Sequence, residues 1–108
     1  MGLNRGEIWW AHVDKQRPVV LVSRQEAYAV RALVIVAPVS TTIRGFAVEV
    51  KVGKRDGLPK PGVINCDWLV TIPKSALKER IGTLSSTKRT QLDEALRFAL
   101  GLDEQWAV

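Results

Sequence analysis

Two segments of the chain carry side chains of the kind that binds phosphate oxygens. Arg17 directly precedes Pro18, and proline disfavours a helical backbone in the residue before it, so the local chain directs the Arg17 guanidinium. The polar segment 40–45 offers three consecutive hydroxyls followed by Arg44. Hydroxyls, turn amides and arginine together suit a phosphate group. Two alternatives stay open: a solvated loop arginine, and hydroxyls that bond their own backbone.

The chain has few residues that could serve acid–base catalysis, nucleophilic catalysis or metal binding. His12 is the single histidine, so the chain cannot supply a histidine acid–base pair, and a surface or structural role is the alternative to a general base. Cys66 is the single cysteine and is expected to be a small buried apolar residue, which excludes an internal disulfide. No pair of acidic residues is spaced to hold a metal. We therefore expect neither a metal nor another cofactor.

The tryptophans have two interpretations. Trp9 and Trp10 are neighbours, so a strand must direct them to opposite faces, one into the core and the other toward a partner surface or a covering loop. Trp68 and Trp106 are interpreted as packing residues, with stacking on nucleic-acid bases as the alternative.

These candidates depend on short strands that fill the first two-thirds of the chain. Aromatic and β-branched runs predict strands at 7–13, 18–23, 31–39, 47–52, 63–66, 68–72 and near 80–84. The run 31–39 is apolar throughout, which predicts a strand buried on both faces. Segment 53–62 carries three glycines and two prolines and is predicted to be a loop.

The chain ends with a helical pattern. Segment 85–102 places Leu92, Leu96, Ala99 and Leu100 on one stripe, with a hydroxyl residue at 85–87 as the N-cap and Gly101 as the stop. The chain is thus predicted to form one domain, 1–108, of the mostly β or α+β class. Its fold is expected to be a small curled sheet or barrel with a C-terminal amphipathic helix.

Composition narrows the class of protein further. In 108 residues, 46% are hydrophobic and 25% charged, which is typical of a folded globule. The net charge is +5, and residues 1–54 hold eight basic and four acidic side chains, so an anionic partner is expected to contact the first half. No membrane span or signal peptide is visible, and a cytoplasmic location is expected.

The order of these segments resembles a known family. RGEIWWAHV at 5–13, RPVVLVS at 17–23, VAPVSTTIRG at 36–45, GLPKPGVINCDWL at 57–69 and KERIGTLS at 78–85 precede the terminal helix. This ordered set is similar to the MazF/PemK toxin endoribonucleases of bacterial toxin–antitoxin modules, from about residue 5 to residue 102.

The resemblance implies a small SH3-like β-barrel that works as a homodimer. It also implies sequence-specific, metal-independent cleavage of single-stranded RNA, neutralised by a cognate antitoxin with an acidic C-terminal segment. The resemblance further implies that the protein contacts DNA only indirectly, through the antitoxin. The catalytic pair implied is Arg17, before the proline, and Ser40, first in the polar loop. The RNA-binding residues expected are Thr41, Thr42, Arg44, Trp10 and His12.

The chemistry of RNA itself is consistent with the implied cleavage. RNA carries its own nucleophile, the 2′-OH, so the protein must mainly align the phosphodiester and stabilise charge on its oxygens. Two alternatives remain: a noncatalytic toxin of the same fold, like the gyrase poison CcdB, and a small-barrel RNA-binding module. The pairing of Arg17 with the hydroxyl loop favours the nuclease.

Overall fold

A computed structural model describes residues 2–102, in which short strands alternate with turns and a long helix closes the chain. The strands are β1 Glu7–His12, β2 Gln16–Leu21, β3 Leu33–Ser40, β4 Glu49–Val52, β5 Gly62–Asn65, β6 Val70–Pro73 and β7 Leu77–Thr83. The helices are α1 Ala27–Val30 and α2 Ser86–Leu100, and 3-10 turns lie at Lys54–Asp56 and Lys74–Ala76.

All strand pairs in the described part are antiparallel, in the order β4–β5–β3–β2–β1–β7, with β6 also paired to β3. The sheet curls, so both of its faces pack against other parts of the chain. The predicted fold class, a mostly β curled sheet with a C-terminal helix, is confirmed.

Strand alternation in β1 divides the core into two clusters. Ile8 packs on one face with Val20 and with Leu92 of α2, while Trp9 packs on the other face with Val19. Trp9 is buried and Trp10 is half-buried, so the predicted opposite orientation of the two tryptophans is confirmed.

The helix α2 begins and ends at the caps that the sequence predicts. The Ser85 hydroxyl accepts a hydrogen bond from the Lys88 amide at 3.1 Å, which satisfies one free donor of the first turn. Gly101 ends the helix with φ of 67°, a left-handed conformation that favours glycine. Leu92 is buried, and Leu96 and Ala99 pack against the core. The placement of Leu100 on the buried stripe is wrong, because that side chain is exposed.

Two further differences concern the segment before the site. The helix α1 is not predicted, because four residues are too few to show a helical period. The prediction that 31–39 is buried on both faces holds only for Val36–Val39, since Leu33 and Ile35 are exposed. No helix within residues 2–102 is long and apolar enough to span a membrane.

The strands β2 and β3 part where each carries a proline. Pro38 pairs with Val19 in the last recorded residue pair of this ladder, and Pro18 is the next residue of β2. Neither proline can donate a backbone hydrogen bond, which explains why the ladder ends here. Beyond this point β3 pairs with β5 instead, through Val39 and Ser40. The gap between the diverging strands is where the candidate site lies.

Candidate active site

Arg17 lies in β2 rather than in the preceding loop, and two neighbours hold it. Its Nε and Nη2 atoms donate to the two carboxylate oxygens of Asp14, at 2.7 and 3.0 Å. Its guanidinium carbon lies 4.9 Å from the centre of the Trp68 ring, a cation–π distance. Because its side chain is only 20% exposed, the interpretation of Arg17 as a solvated loop arginine is wrong.

The Asp14 contact fixes the charge of both groups. The hydrogen bond to Arg17 holds the pKa of the Asp14 carboxyl well below its usual range. The same hydrogen bond raises the pKa of Arg17 above its usual value, so Arg17 stays protonated near neutrality. Asp14 uses one edge of the guanidinium, and the Nη1 edge forms no further hydrogen bond or ion pair within residues 2–102. That edge can bind a phosphate.

A groove of about 280 Å³ opens beside Arg17. It is lined by Trp10, Lys15, Gln16, Arg17, Pro18, Val39, Thr41, Leu58, Pro59, Lys60 and Pro61. Three of these side chains are cationic and none is acidic. A groove with one sign of charge attracts and orients an anionic ligand.

The hydroxyl loop lies on the other side of the gap. The Ser40 hydroxyl oxygen accepts a hydrogen bond from the Thr42 amide at 3.1 Å, which leaves its own proton free to donate elsewhere. The amides of Arg44 and Gly45 donate to the Glu49 carboxylate at 3.1 and 2.8 Å. The loop is therefore tied to β4, and Thr42 and Arg44 are exposed. Of residues 40–44, Thr41 lines the groove.

The register of β2 and β3 relates Arg17 to Ser40. Val19 pairs with Pro38 in the last recorded pair, and continuing the same count by two residues would align Arg17 with Ser40, although Ser40 itself does not line the groove. Gly62 of β5 supports Ser40 from the other side, because a Cβ at Gly62 would lie 2.7 Å from the Ser40 carbonyl oxygen. The absence of a side chain lets the two backbones approach, and the start of the hydroxyl loop is held in place.

The other candidates separate into two groups. Trp10 pairs with Pro18 and lines the groove. His12 is exposed at the end of β1 opposite Gln16 and does not line the groove. Cys66 is buried, and burial raises the pKa of its thiol to about 12, so the expected apolar role is confirmed. Trp106 lies outside the described residues.

The sequence interpretation does not relate three contributors to Arg17, and it takes one of them, Trp68, as a packing residue with base stacking as the alternative. Asp14 stands three residues before Arg17 across a tight hairpin, and this spacing could have suggested the ion pair. Trp68 follows Arg17 by 51 residues, so no local signal relates the two side chains. Lys60 lines the groove only because β5 pairs beside β3.

The arrangement suits charge stabilisation on a phosphodiester better than bond cleavage by a side-chain nucleophile. A clamped guanidinium, the hydroxyl residue Thr41 and two further cations line the groove, and the thiol of Cys66 is buried. Within residues 2–102 no group of three or more His, Cys, Asp or Glu side chains is placed to hold a metal ion.

Comparison with known proteins shows the family of the chain. Residues 4–100 match the family described as PemK-like, MazF-like toxin of type II toxin-antitoxin system. Endoribonuclease MazF3 of Mycobacterium tuberculosis is 41% identical over 98 residues, covering 91% of this chain and 93% of that protein. The probable endoribonuclease MazF5 of the same organism is 34% identical over 99 residues, covering 89% and 91%.

Solved structures agree with the sequence comparison. The Mycobacterium tuberculosis toxin MazF-mt6 superposes with a TM-score of 0.86 at 40% identity, covering 91% of this chain and 99% of that chain. A mycobacterial endoribonuclease in complex with its cognate antitoxin also gives a TM-score of 0.86, at 25% identity and with 96% and 100% coverage. On this evidence the chain belongs to the PemK-like, MazF-like toxin family of type II toxin-antitoxin systems.

Proposed function

We propose that this protein is a toxin endoribonuclease that cleaves single-stranded RNA at a short preferred sequence without a metal ion. The observation that carries the proposal is the Arg17 guanidinium, fixed on one edge by Asp14 and on one face by Trp68, with its other edge free beside a basic groove. Membership of the toxin family, with relatives named endoribonucleases, supports the same activity.

The reaction uses the nucleophile that RNA supplies. The 2′ oxygen attacks the adjacent phosphorus, its proton leaves to a base, and the bond from phosphorus to the 5′ oxygen breaks. The departing 5′ oxygen takes up a proton, which gives a 2′,3′-cyclic phosphate and a 5′-OH end. In the transition state, negative charge collects on the nonbridging oxygens, so preorganised donors lower the barrier.

Arg17 is the principal donor in this proposal. The free guanidinium edge binds two phosphoryl oxygens in a fixed plane, and the neighbouring cations Lys15 and Lys60 add to the positive potential. Because Asp14 raises the pKa of Arg17, this arginine is a poor base at neutral pH and acts through its charge. A hydrogen bond from Arg17 to the departing 5′ oxygen would stabilise the charge on this leaving group.

Ser40 supplies the second donor. Its hydroxyl oxygen is held by the Thr42 amide, so the hydroxyl proton is free to point across the gap to a phosphoryl oxygen. Thr41 and Trp10 line the groove where the RNA chain lies. Arg44, Thr42 and His12 lie at the surface around it, where they contact neighbouring nucleotides.

The proposal includes a homodimer and an inhibitor. A related endoribonuclease of 25% identity has been solved in complex with its cognate antitoxin. An acidic antitoxin segment would bind the basic groove of this chain and exclude RNA from it. Two copies placed side by side would extend the groove across their interface.

Incubation of the pure protein with a long single-stranded RNA, followed by mapping of 5′-OH ends, tests the proposal. We expect cuts at a recurring short sequence, and equal cleavage in excess EDTA because the proposed mechanism uses no metal ion. Loss of cleavage on chelation with recovery on adding Mg²⁺ would contradict the mechanism. Binding without cleavage supports an RNA-binding module, and inhibition of gyrase without either supports a gyrase poison.

A further inference from the structure

A second basic surface is lined by the first residues of the loop 53–61, whose later residues line the Arg17 groove. Lys51 on β4, Lys54 and Arg55 in the 3-10 turn, and Lys88 in the first turn of α2 surround a shallow depression of about 310 Å³. We call these four residues the Lys54 patch. Three separate elements therefore converge to place positive charge at one position.

The charge of the Lys54 patch is not neutralised within the described part of the chain. None of its four cations forms an ion pair among residues 2–102. Asp56 is the one acidic residue that lines the depression, and its buried carboxylate accepts the Gly53 amide at 2.8 Å. Lys88 donates to the Lys51 carbonyl, which fixes its position without reducing its charge.

The position of Lys88 also costs stability. Helix N-termini carry positive partial charge and favour acidic residues, yet α2 has no acidic residue in its first turn and has Lys88 and Arg89 there instead. Cations at this end add to the field of the free amides. An anion bound at the patch would relieve the repulsion, whereas a purely structural surface gains nothing from it.

The patch is continuous with the groove through a single loop. Gly53–Asp56 line the patch, and Leu58–Pro61, immediately after Gly57, line the groove. The Leu58 amide donates to the Gly53 carbonyl at 3.2 Å, so the loop is closed on itself and contributes residues to both surfaces. A flexible polyanion that lies in the groove can therefore pass over this loop to the patch.

We propose that the Lys54 patch binds the sugar-phosphate backbone of the RNA outside the cleaved segment. The inference rests on the proposed ribonuclease function. Backbone contacts carry no sequence information, so the patch should increase affinity for long RNA without changing the preferred cleavage sequence. Its occupant is RNA rather than an acidic peptide because RNA carries a charge at every nucleotide and can span both surfaces.

Two matched double variants test the proposal. Lys54→Gln with Arg55→Gln removes two charges from the patch, and Arg24→Gln with Arg31→Gln removes two exposed charges from the segment between β2 and β3. Each pair is combined with Arg17→Ala to prevent cleavage. Binding is measured by fluorescence anisotropy with a single-stranded RNA of about 40 nucleotides and with its central fragment of about eight, within the site size of single-strand binders.

We expect the patch variant to bind the long RNA about three- to tenfold more weakly than the Arg24/Arg31 control does, with no difference on the short RNA. The slope of log affinity against log salt should become shallower by about 1.4, for two phosphate contacts at roughly 0.7 each. Equal binding of the long RNA by patch variant and control would overturn the proposal. So would a patch variant that loses affinity only for an acidic peptide.

Cleavage of the short RNA by patch variants that retain Arg17 separates this inference from the proposed function. Wild-type cleavage there, with weakened binding of the long RNA, supports both statements. If the wild-type protein cleaves neither RNA, the ribonuclease function fails, while the anisotropy comparison still decides whether the patch binds RNA.

Discussion

Arg17 is fixed in two directions, and this determines how its charge can be used. The Trp68 ring contacts the guanidinium at 4.9 Å from its centre, and the two hydrogen bonds to Asp14 fix the direction of one guanidinium edge. A planar fork held in this way presents two parallel N–H groups to a phosphate, which a lysine ammonium cannot do. At the residue scale, the site therefore depends on orientation as well as on charge.

Replacement of Arg17 is the most direct test of this view. Arg17→Ala should reduce cleavage by at least about 10²–10³-fold, and Arg17→Lys should also be severely impaired. The thermal unfolding midpoint should change little, because the Asp14 side chain is 53% exposed and an ion pair with an exposed partner contributes little to stability. RNA cleavage and unfolding are measured on the same preparations. Near-wild-type cleavage by the alanine variant would transfer the catalytic role to Arg44 or His12.

Asp14 and Trp68 are expected to act as positioning residues. Asp14→Asn and Trp68→Ala should each lower kcat more than they raise KM. Both variants keep the charge of Arg17, but its guanidinium is no longer held in one orientation. Asp14→Glu, which keeps the carboxylate, should recover part of the loss. If Asp14 instead competes with phosphate for Arg17, Asp14→Asn lowers KM and does not reduce kcat. Steady-state kinetics on a short RNA distinguish the two results.

Ser40 offers a test of the second donor. Ser40→Ala removes the hydroxyl that the Thr42 amide holds, and cleavage should fall by roughly 10²–10³-fold if Ser40 is a single transition-state donor. Ser40→Thr keeps the hydroxyl and should remain active. Ser75→Ala is the control, because Ser75 is an exposed serine in the 3-10 turn Lys74–Ala76 and does not line the groove. Equal cleavage by wild type and Ser40→Ala would remove Ser40 from the mechanism.

At the scale of elements, local pattern predicts strands and caps well and predicts contacts between distant segments poorly. The strand at 47–52 and the Ser85 and Gly101 caps depend on neighbouring residues, and the structure has a strand at Glu49–Val52 and both caps. The exposure of Leu33 and Ile35 depends on how the sheet curls, which no short window of sequence records. The contact of Trp68 with Arg17 likewise joins residues that are 51 positions apart in the chain.

The beginning of β1 is held by a buried carboxylate. Glu7 Oε1 accepts hydrogen bonds from the Trp9 indole at 3.0 Å and the Asn4 amide at 3.1 Å, and Oε2 accepts one from Arg80 on β7 at 3.2 Å. Burial alone raises the pKa of Glu7, but these hydrogen bonds outweigh it and the pKa is lowered from its usual value. Glu7 therefore ties the N-terminal segment and the edge strand to the core.

The pH dependence of stability follows from that shift. Because the pKa of Glu7 is lower in the folded state than in the unfolded state, its stabilising contribution is complete above roughly pH 4.5 and is lost as the pH falls through the lowered value. Glu7→Gln places an amide donor against donors, so it should cost about 1–3 kcal/mol at neutral pH. The free energy of unfolding of this variant should also fall less than that of the wild type as the pH is lowered. Urea unfolding of the wild type and of Glu7→Gln from pH 7 to pH 3 measures this difference. The same pH dependence of the unfolding free energy in both proteins would contradict the prediction.

At the scale of the whole molecule, charge and exposed apolar area both point to partners. The chain carries a net charge of +5, and cationic residues line both the groove and the Lys54 patch. Phe46, Phe98 and Leu102 are each more than half exposed, which is much apolar surface for a chain of this size. A second copy of the chain and an acidic peptide would together cover such surfaces.

These features predict a dimer whose RNA binding is competed by an acidic peptide. Two copies double the charge, so an acidic antitoxin segment should associate quickly and displace RNA from the Arg17 groove. Because the encounter is partly electrostatic, inhibition should weaken as salt rises, with ions screening exposed charges beyond about 10 Å at 0.1 M. Light-scattering mass and RNA competition at two salt concentrations provide the measurements. A stable monomer that cleaves at full rate, or a peptide that inhibits while RNA stays bound, would refute this arrangement.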